Sequence, residues 1–352
     1  MEKYKTDYKD YSGYVGIMIS TDRSIFLEKS AVRARMIEHA KLYKHLHIII
    51  FSLSKFEQMD ISENCSIYST NSFSKLQYVS GARKVGKKIL KKLDKETPVI
   101  FTCQDPFETG LAGKSLACLR KNSELLLQIH TDLFSPYFTT PQIGLKNALL
   151  NRVRLFISKF TLPQADVVRV VSVKIADSLV ERGIAAEKII IKPIAVKTIS
   201  LLDQKPAFEL HEKFPQFRKI ILTVSRLEAE KNIEMALDAM KVVLASVPDA
   251  GLVIVGSGSK MQSLKRHAYR LKIEASVAFV GWQTDLIPYY GGCDIFLMTS
   301  WYEGYGLVLK EAQSMACSLV STDVGIAKEV GAHLVEYTPE SIAGGIIKSL
   351  HI

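Results

Sequence analysis

Short continuous runs of apolar residues recur along the first half of the chain, separated by stretches whose apolar positions follow a helical repeat. Such runs are typical of β-strands buried on both faces, and the intervening repeat is typical of amphipathic helices. Their alternation predicts parallel strands joined by helices. The strands predicted in this half are 14–20 (YVGIMIS), 47–52 (HIIIFS), 98–103 (PVIFTC), 124–130 (ELLLQIH), 166–172 (DVVRVVS) and 188–193 (KIIIKP).

The same pattern restarts after a polar, proline-containing interval at residues 198–217. A helix is predicted after Lys231, because Ile233, Leu237 and Met240 fall on one stripe. The strands predicted in this half are 219–225 (KIILTVS), 251–257 (GLVIVGS), 277–282 (VAFVGW), 294–300 (DIFLMTS) and 318–323 (SLVSTD).

Two such series predict an α/β protein with two Rossmann-like, doubly wound domains that face a cleft. The domains are predicted to comprise residues 1–197 and 198–352. In this architecture ligands bind at the carboxyl ends of the strands. The loops that follow the strands are therefore where functional side chains are expected.

The composition is that of a folded globular protein, since 47% of the 352 residues are hydrophobic and 23% are charged. No apolar run approaches the roughly 20 residues needed to span a bilayer. The polar N-terminus lacks the apolar stretch of a secretory signal. The five cysteines are scattered and show no CxxC spacing, which indicates reduced cytosolic thiols and neither a disulfide framework nor a zinc site.

The net charge of +10 is unevenly distributed along the chain. Residues 1–200 carry a net charge of +12, whereas residues 201–352 carry −2. This asymmetry indicates that the first domain meets an anionic partner.

Seven cations cluster between residues 83 and 95, opposite an apolar stripe on a predicted helix. The alternative is a solvated face on a helix that packs normally, and nucleic acid is disfavoured because no recognised binding motif accompanies the charge. Together with the charge asymmetry and a second basic stretch at 151–160, the pattern favours an anionic membrane surface. The cations are Arg83, Lys84, Lys87, Lys88, Lys91, Lys92 and Lys95, and the stripe is Ala82, Val85, Ile89 and Leu93.

The loop after the strand at 219–225 contains two cations, Arg226 and Lys231, at a strand-to-helix junction. Cations beside a helix N-terminus are suited to binding a diphosphate. In the alternative, the two side chains pair with Glu228 and Glu230 in a solvated loop.

The next two loops carry weaker signals. Gly256 and Gly258 would let backbone amides approach a ligand, although a plain tight turn explains them equally well. Trp282 ends a predicted strand, where its ring could stack on a nucleobase or be an ordinary buried tryptophan.

The loop at 299–311 carries the strongest signal. Glu303 precedes Gly304 and Gly306, which open a predicted helix that bears Glu311 about 10 Å from its start. An anion at this N-terminus would accept hydrogen bonds from the amides of 304–307. In the alternative, Glu303 caps the helix and Glu311 is a solvated helix residue.

The segments SRLEAEKN, VGSG, FVGW and EGYGLVLKEA, followed by ACSLVSTDVG, stand in the order and spacing of a known family. The chain resembles the retaining glycosyltransferases of family four (glycosyl transferases group 1), which have the GT-B fold. The match is close over about residues 219–337 and weaker over the first half. The resemblance implies an N-terminal acceptor-binding domain and a C-terminal domain that binds a nucleotide-sugar donor, a UDP-sugar or GDP-sugar, with no other cofactor and no metal.

The resemblance also implies roles for particular residues. Arg226 and Lys231 would bind the diphosphate, Glu303 would contact the donor sugar on its reacting face, and Glu311 would bind the ribose. His130 stands where the family places a histidine near the donor sugar, although a lone histidine at a strand end is more often structural. The implied catalytic residues are His130, Arg226, Lys231 and Glu303, and the implied further donor contacts are Gly256, Trp282, Gly304, Tyr305, Gly306, Leu307 and Glu311.

The chain departs from the family pattern at several places. Residues 20–24 (STDRS) replace a glycine pair, and residues 191–196 (IKPIAV) replace a Pro-Asn-Gly-Val segment. Relatives also continue past the position of Ile352 into a helix that returns to the first domain. The absence of the glycine pair leaves open which amides of the first loop contact donor or acceptor.

The combined prediction is a retaining, metal-independent hexosyltransferase. It would act on a lipid-linked or surface-polysaccharide glycan while peripheral at the cytoplasmic face of the cell membrane. One alternative is a nucleotide-sugar epimerase, whose chemistry needs acid/base carboxylates and histidines near the sugar in both domains, and His130 and Asp132 are the only candidates for that role. The other is a non-catalytic membrane protein that keeps the nucleotide-sugar site.

Overall fold

A computed structural model describes residues 4–6, 9–194 and 206–350. Contacts divide the chain into two compact units. Unit 1 comprises Met1–His130 and Leu149–Lys192, and unit 2 comprises Thr131–Ala148 and Pro193–Ile352. The predicted boundary between residues 197 and 198 lies outside the described residues, as do the last two residues of the segment 191–196. Among the described residues, no helix has the length and apolar character to cross a bilayer.

Unit 1 contains an eight-stranded sheet in the order β3-β4-β2-β1-β5-β6-β7-β8. Its strands pair in parallel except β3, which lies antiparallel to β4 at the edge. All six strands predicted in this half are confirmed. The strands are β1 (Val15–Ser20), β2 (His45–Ile50), β3 (Met59–Ser62), β4 (Cys65–Ser69), β5 (Val99–Cys103), β6 (Ser123–Ile129), β7 (Val167–Val170) and β8 (Ile189–Ile191).

The first helices pack on this sheet, and the most basic of them buries its apolar face. Ala82 and Ile89 are 0% and 4% exposed, and a Cβ at Gly86 would lie 2.4 Å from Leu116 Cδ1, which shows how closely this helix approaches the next one. The cations predicted between 83 and 95 all face solvent. The helices are α1 (Ala31–Ala40), α2 (Tyr78–Lys92), α3 (Glu108–Ala117), α4 (Leu145–Thr161) and α5 (Val173–Val180).

Unit 2 contains a six-stranded parallel sheet in the order β11-β10-β9-β12-β13-β14. Its strands are β9 (Lys219–Val224), β10 (Ala250–Val255), β11 (Val277–Gly281), β12 (Ile295–Met298), β13 (Ser318–Thr322) and β14 (His333–Val335). The predicted strands and the predicted helix after Lys231 are confirmed, and the stripe of Ile233, Leu237 and Met240 is buried in the core. The helices are α6 (Leu210–Lys213), α7 (Ile233–Ser246), α8 (Met261–Leu271), α9 (Ile287–Gly292), α10 (Leu307–Ser314) and α11 (Pro339–Ser349).

One segment packs with a unit that its position in the sequence does not suggest. Residues 131–148 follow β6 of unit 1, yet their contacts place them in unit 2. The Tyr137 ring lies 4.8 Å from the ring of Trp301, and the Phe138 ring meets that of Tyr302 edge-on at 5.8 Å. This segment therefore supports the loop that follows β12.

Candidate functional site

Most of the second-half residues singled out from the sequence lie in loops that follow β9, β10, β11 and β12 of unit 2, and Leu307 and Glu311 lie in α10, which follows the last of these loops. These strands are neighbours in one parallel sheet, so their carboxyl ends meet at one edge. Thr299 joins two of the loops, because its hydroxyl donates to the carbonyls of Lys231 and Asn232 at 3.3 and 3.0 Å. The fold thus brings the loops of Arg226, Lys231 and Glu303 together.

Lys231 and Glu303 form an ion pair at this edge. Lys231 Nζ lies 2.6 Å from Glu303 Oε1, and the two side chains are only 15% and 13% exposed. The same carboxylate oxygen accepts a hydrogen bond of 2.8 Å from the hydroxyl of Ser300, a residue that the sequence interpretation did not single out. Glu303 is therefore held by its neighbours and does not cap α10, which has no side-chain cap.

Arg226 has a different environment. Its side chain is 66% exposed, and Nη2 donates to Glu230 Oε1 at 2.8 Å, as the alternative of a charge-paired loop predicts. The carbonyl of Glu230 accepts from the amide of Trp301 at 2.9 Å, which fixes this loop against the loop after β12. Arg226 is consequently a solvent-facing cation in the same loop as Lys231.

Two polar atoms in the same loop region are buried without a hydrogen-bond partner among the described residues, Ser225 Oγ and Asn232 Nδ2. Asn232 adopts a left-handed conformation, with φ of 51°, at the start of α7. Because buried polar atoms are normally satisfied, such atoms beside an ion pair are suited to contact a ligand.

The glycines after β10 serve loop packing. Gly256 has a φ of 133°, and a Cβ there would lie 1.8 Å from the carbonyl oxygen of Ser225. A Cβ at Gly258 would lie 2.4 Å from the carbonyl oxygen of Leu227. Only glycine lets these loops approach so closely, so the two residues shape the site through the backbone.

Trp282 follows β11 and is 69% exposed. The alternative that it is an ordinary buried tryptophan is therefore wrong. A large, exposed indole beside the carboxyl edge of the sheet offers a face on which an aromatic ring can stack.

The helix after Glu303 begins later than predicted. α10 starts at Leu307, and Gly306 occupies the N-cap with a φ of 83°. Residues 304 and 311 therefore do not share a helical face, and Glu311 lies one turn, about 6 Å, from the start of the helix. The predicted 10 Å is wrong because Gly304 and Tyr305 belong to the loop. The start of α10 has no side-chain cap, and the first amide seen to donate within the described part of the protein is that of Leu309, to the Gly306 carbonyl at 2.9 Å. The amides that precede Leu309 are therefore available to an anion.

Glu311 is held by a buried tyrosine. Tyr290, which is 2% exposed, donates its hydroxyl to Glu311 Oε2 at 2.8 Å. Burial and the adjacent carboxylate raise the pKa of Tyr290 well above its usual value, so it remains a donor. Tyr290 thus orients Glu311, which is half-buried. The alternative that Glu311 is a solvated helix residue is therefore wrong. No sequence pattern singled out Tyr290.

Aromatic rings support the loop after β12 from below. The rings of Trp301 and Tyr337 stack at 4.9 Å, and the Tyr137 ring lies 4.8 Å from Tyr337. The Tyr337 hydroxyl donates to the carbonyl of Trp301 at 3.1 Å. Since Tyr137 and Tyr337 are more than a hundred positions apart, periodicity could not reveal this cluster.

His130 belongs to unit 1, at the end of β6. Its Nε2 lies 3.1 Å from Gln128 Oε1, which also accepts from Arg169 Nη1 at 3.1 Å. Burial, assisted by the charge of Arg169, lowers the pKa of His130 to about 4. The imidazole is therefore neutral near pH 7.

The loop after β1 uses side chains where the family has glycines. The Gln104 side-chain oxygen accepts hydrogen bonds from the Ser20 hydroxyl and from the Thr21 amide, at 3.0 and 2.9 Å. Asp22 accepts from the amide of Ser24 at 3.1 Å. The Thr21 and Ser24 amides are thus already paired within the protein.

No group of three or more histidine, cysteine or acidic side chains arranged to hold a metal ion occurs within the described part of the chain. The two closest thiols, Cys293 and Cys317, have their sulfur atoms 3.5 Å apart and both lie near the carbonyl of Tyr290.

Residues 206–351 match the family model described as glycosyl transferases group 1, which confirms the resemblance to that group for this part of the chain. An uncharacterized glycosyltransferase of Methanocaldococcus jannaschii is 34% identical over 140 residues, which are 38% of this chain and 36% of that protein. The lipopolysaccharide core biosynthesis mannosyltransferase LpsB of Rhizobium meliloti is 26% identical over 138 residues, 38% of this chain and 39% of LpsB. The matched segments thus span just over a third of these relatives' length.

The fold is that of the GT-B glycosyltransferases, with two Rossmann-like domains. The solved structure of Anabaena HepE in complex with UDP and glucose superimposes with a TM-score of 0.67 and 17% identity, covering 95% of this chain and 89% of that one. At this identity the likeness concerns the fold alone.

Proposed function

We propose that this chain, whose residues 206–351 match the group 1 glycosyltransferases, transfers a hexosyl group from a nucleotide diphosphate sugar to a hydroxyl acceptor. The donor is a UDP-sugar or GDP-sugar, and the anomeric configuration is retained without a metal. The observation that carries the proposal is the Lys231–Glu303 pair beside the uncapped N-terminus of α10.

This arrangement separates two tasks. Lys231 and the amides at the start of α10 offer positive charge to a diphosphate, and they stabilise the charge that develops as the nucleotide leaves. The Glu303 carboxylate, held by Lys231 and Ser300, keeps further acceptor capacity for the hydroxyls of the sugar. Arg226, which is exposed, would close over the diphosphate by exchanging Glu230 for phosphate oxygens.

The remaining proposed contacts hold the ribose, the base and the sugar of the donor. Tyr290 donates to one oxygen of Glu311, which leaves the other oxygen to accept from the ribose hydroxyls. Trp282 offers its exposed ring to the base, and Gly256 lets the backbone approach. The neutral imidazole of His130 gives its one N–H to Gln128 Oε1, so its proposed role near the sugar is to accept a hydrogen bond at Nδ1. It would not serve as a proton donor near pH 7, because its pKa is about 4.

The acceptor is proposed to be a lipid-linked or surface-polysaccharide glycan, and the enzyme to work at the cytoplasmic face of the membrane. Support comes from the +12 charge of residues 1–200 and from the solvent-facing cations of α2. The Rhizobium meliloti relative named for lipopolysaccharide core synthesis points to the same acceptor class.

A donor screen tests the proposal. Thermal unfolding would be followed with UDP, GDP, ADP and their hexose conjugates, since a ligand that binds the native state raises the unfolding temperature. We expect one base to stabilise the protein and its sugar conjugate to be consumed when a glycolipid acceptor is added. Absence of stabilisation by every nucleotide would overturn the proposal, and binding without turnover over a broad acceptor panel would indicate a non-catalytic protein.

A further inference from the structure

Helix α4 (Leu145–Thr161) exposes large apolar side chains and buries polar ones, the reverse of an ordinary amphipathic helix. This holds for its residues from Leu149 onward, which belong to unit 1. Its inward face carries polar side chains, with Asn151, Ser158 and Thr161 at 6%, 0% and 0% exposure. Its outward face carries a stripe of large apolar side chains. The members of this stripe are Leu149, Val153, Phe156 and Phe160, which are 64%, 50%, 62% and 52% exposed.

Polar contacts fix the helix in this orientation. The Thr161 hydroxyl donates to the carbonyl of Pro106, and Arg154 Nε lies 3.5 Å from Glu108 Oε1. The guanidinium of Arg154 also lies over the ring of Phe107, at 5.6 Å from its centre. Rotating α4 to bury the stripe would break these contacts. The contacts therefore keep the apolar residues facing outward.

The stripe is continuous. Its members are spaced by four, three and four positions, which places them on one side of a helix over about 16 Å. The rings of Phe156 and Phe160 meet edge-on at 5.0 Å. Soluble proteins rarely expose a contiguous row of this kind unless the surface has a partner.

The charges of the helix indicate which partner. Residues 145–161 contain no aspartate or glutamate, and Arg152 and Lys159 are exposed beside the stripe. Lys114 Nζ donates to the carbonyl of Phe160 at 3.0 Å, which adds a third cation near its end. A second copy of the chain would bring like charges together around the stripe, whereas an anionic lipid surface complements both the cations and the apolar row.

We infer that the stripe of α4 inserts into the interface of an anionic bilayer, with Arg152 and Lys159 at the level of the phosphates. This inference rests on the membrane association proposed above and names the surface that makes it. It also changes the role of the segment 83–95. Because α2 buries its apolar face, its cations supply long-range attraction to the membrane and its apolar residues do not enter the bilayer.

Vesicle co-sedimentation of the full chain tests the inference. Vesicles of phosphatidylglycerol and phosphatidylcholine in equal parts would be compared with vesicles of phosphatidylcholine alone. We expect the double variant F156S/F160S to lose about tenfold or more in partition onto the anionic vesicles, because two aromatic side chains leave the interface. The matched control is Tyr269→Ser, which removes an equally exposed ring (71%) from unit 2 and should leave partition unchanged.

The other outcomes separate the inference from the proposed function. If K87E/K91E abolishes partition while F156S/F160S has no effect, α2 binds the membrane and the role of α4 is overturned. If F156S/F160S instead converts a dimer to a monomer in light scattering, the stripe's partner is a second copy and the inference is again overturned. If neither the wild type nor any variant sediments with the vesicles, both the inference and the proposed membrane association are overturned. The proposed enzymatic activity is then tested separately, by sugar transfer to a soluble acceptor.

Discussion

Lys231 and Glu303 lie 72 positions apart in the sequence, yet their charged atoms are 2.6 Å apart in a largely buried pair. The loops after β9 and β12 place them there because β9 and β12 are adjacent in the sheet of unit 2. A buried pair of this kind makes each partner dependent on the other, since either charge alone would be poorly solvated.

Lys231→Met is expected to lower the free energy of unfolding by about 1–3 kcal/mol, because Glu303 is left with only the Ser300 hydroxyl. The double variant K231M/E303Q should recover part of this loss, since no uncompensated charge remains. Urea titrations of the wild type, both single variants and the double variant would measure the coupling. Additive losses would show that the pair does not stabilise the loops.

Gly256→Ala is expected to destabilise the protein by about 2 kcal/mol or more, because the new Cβ would collide with the Ser225 carbonyl at a φ that favours glycine. Gly344→Ala is the matched control. Gly344 lies in α11 with nothing within 4 Å of its Cβ position, so alanine should stabilise the helix by about 0.5–1 kcal/mol. Thermal unfolding of the two variants should therefore shift in opposite directions, and shifts of the same sign would refute the account of Gly256.

Tyr290→Phe is expected to weaken nucleotide binding by about fivefold, the equivalent of one lost hydrogen bond to Glu311. The turnover rate at saturating donor should remain close to that of the wild type, because Glu311 is proposed to bind ribose and not the reacting atoms. Tyr289→Phe serves as the control, since its buried hydroxyl accepts from Lys213 and does not touch Glu311. Equal affinities of the two variants would show that Tyr290 does not position Glu311.

Stability is expected to fall as the pH is lowered from about 6.5 to about 4. In the folded protein burial lowers the pKa of His130, His39 and His47 to about 4, whereas in the unfolded chain histidine titrates near ~6.5. Between these values the unfolded state binds more protons, so stability rises with pH, by up to about 1.4 kcal/mol per pH unit for each histidine.

The variant His130→Asn should reduce this slope, by up to about 1.4 kcal/mol per pH unit, because one of the titrations that burial shifts is removed. Urea unfolding at intervals between pH 4.5 and 7 would measure it. An unchanged slope would mean that the pKa of His130 is the same in the folded and the unfolded protein, so that its burial does not affect its titration.

The pattern of the sequence predicted most of the architecture, because continuous apolar runs such as 47–52 correspond to strands buried on both faces. It did not predict β3 (Met59–Ser62) or β14 (His333–Val335), which are short edge strands with mixed burial and no clear periodicity. It also missed β4 (Cys65–Ser69), a buried interior strand, because serines interrupt its apolar residues and leave no continuous run. The start of α10 was misplaced because its N-cap is set by the left-handed conformation of Gly306, which the sequence does not distinguish from that of Gly304.

The sequence predicted those site residues that belong to local motifs, and it did not predict their partners. Arg226, Lys231, Glu303 and Glu311 stand in loops or at a helix start that the sequence marks by composition. Their partners are distant in sequence. Tyr290 reaches Glu311 through tertiary packing, and the outward stripe of α4 depends on which face of the helix Thr161 and Arg154 anchor. Such contacts depend on the assembled fold and leave no periodic signal.

Sugar transfer by Glu303→Gln, measured with the donor found in the nucleotide screen, tests most directly whether Glu303 contacts the donor sugar. Glutamine keeps the size of the side chain and its contact with Ser300 but removes the charge beside the proposed sugar. We expect a loss of about 100-fold or more in the transfer rate, with nucleotide affinity within about threefold of the wild type. The control Glu274→Gln, at an exposed position of unit 2, should transfer sugar normally. Undiminished transfer by Glu303→Gln would contradict the assignment of Glu303 and with it the proposed site.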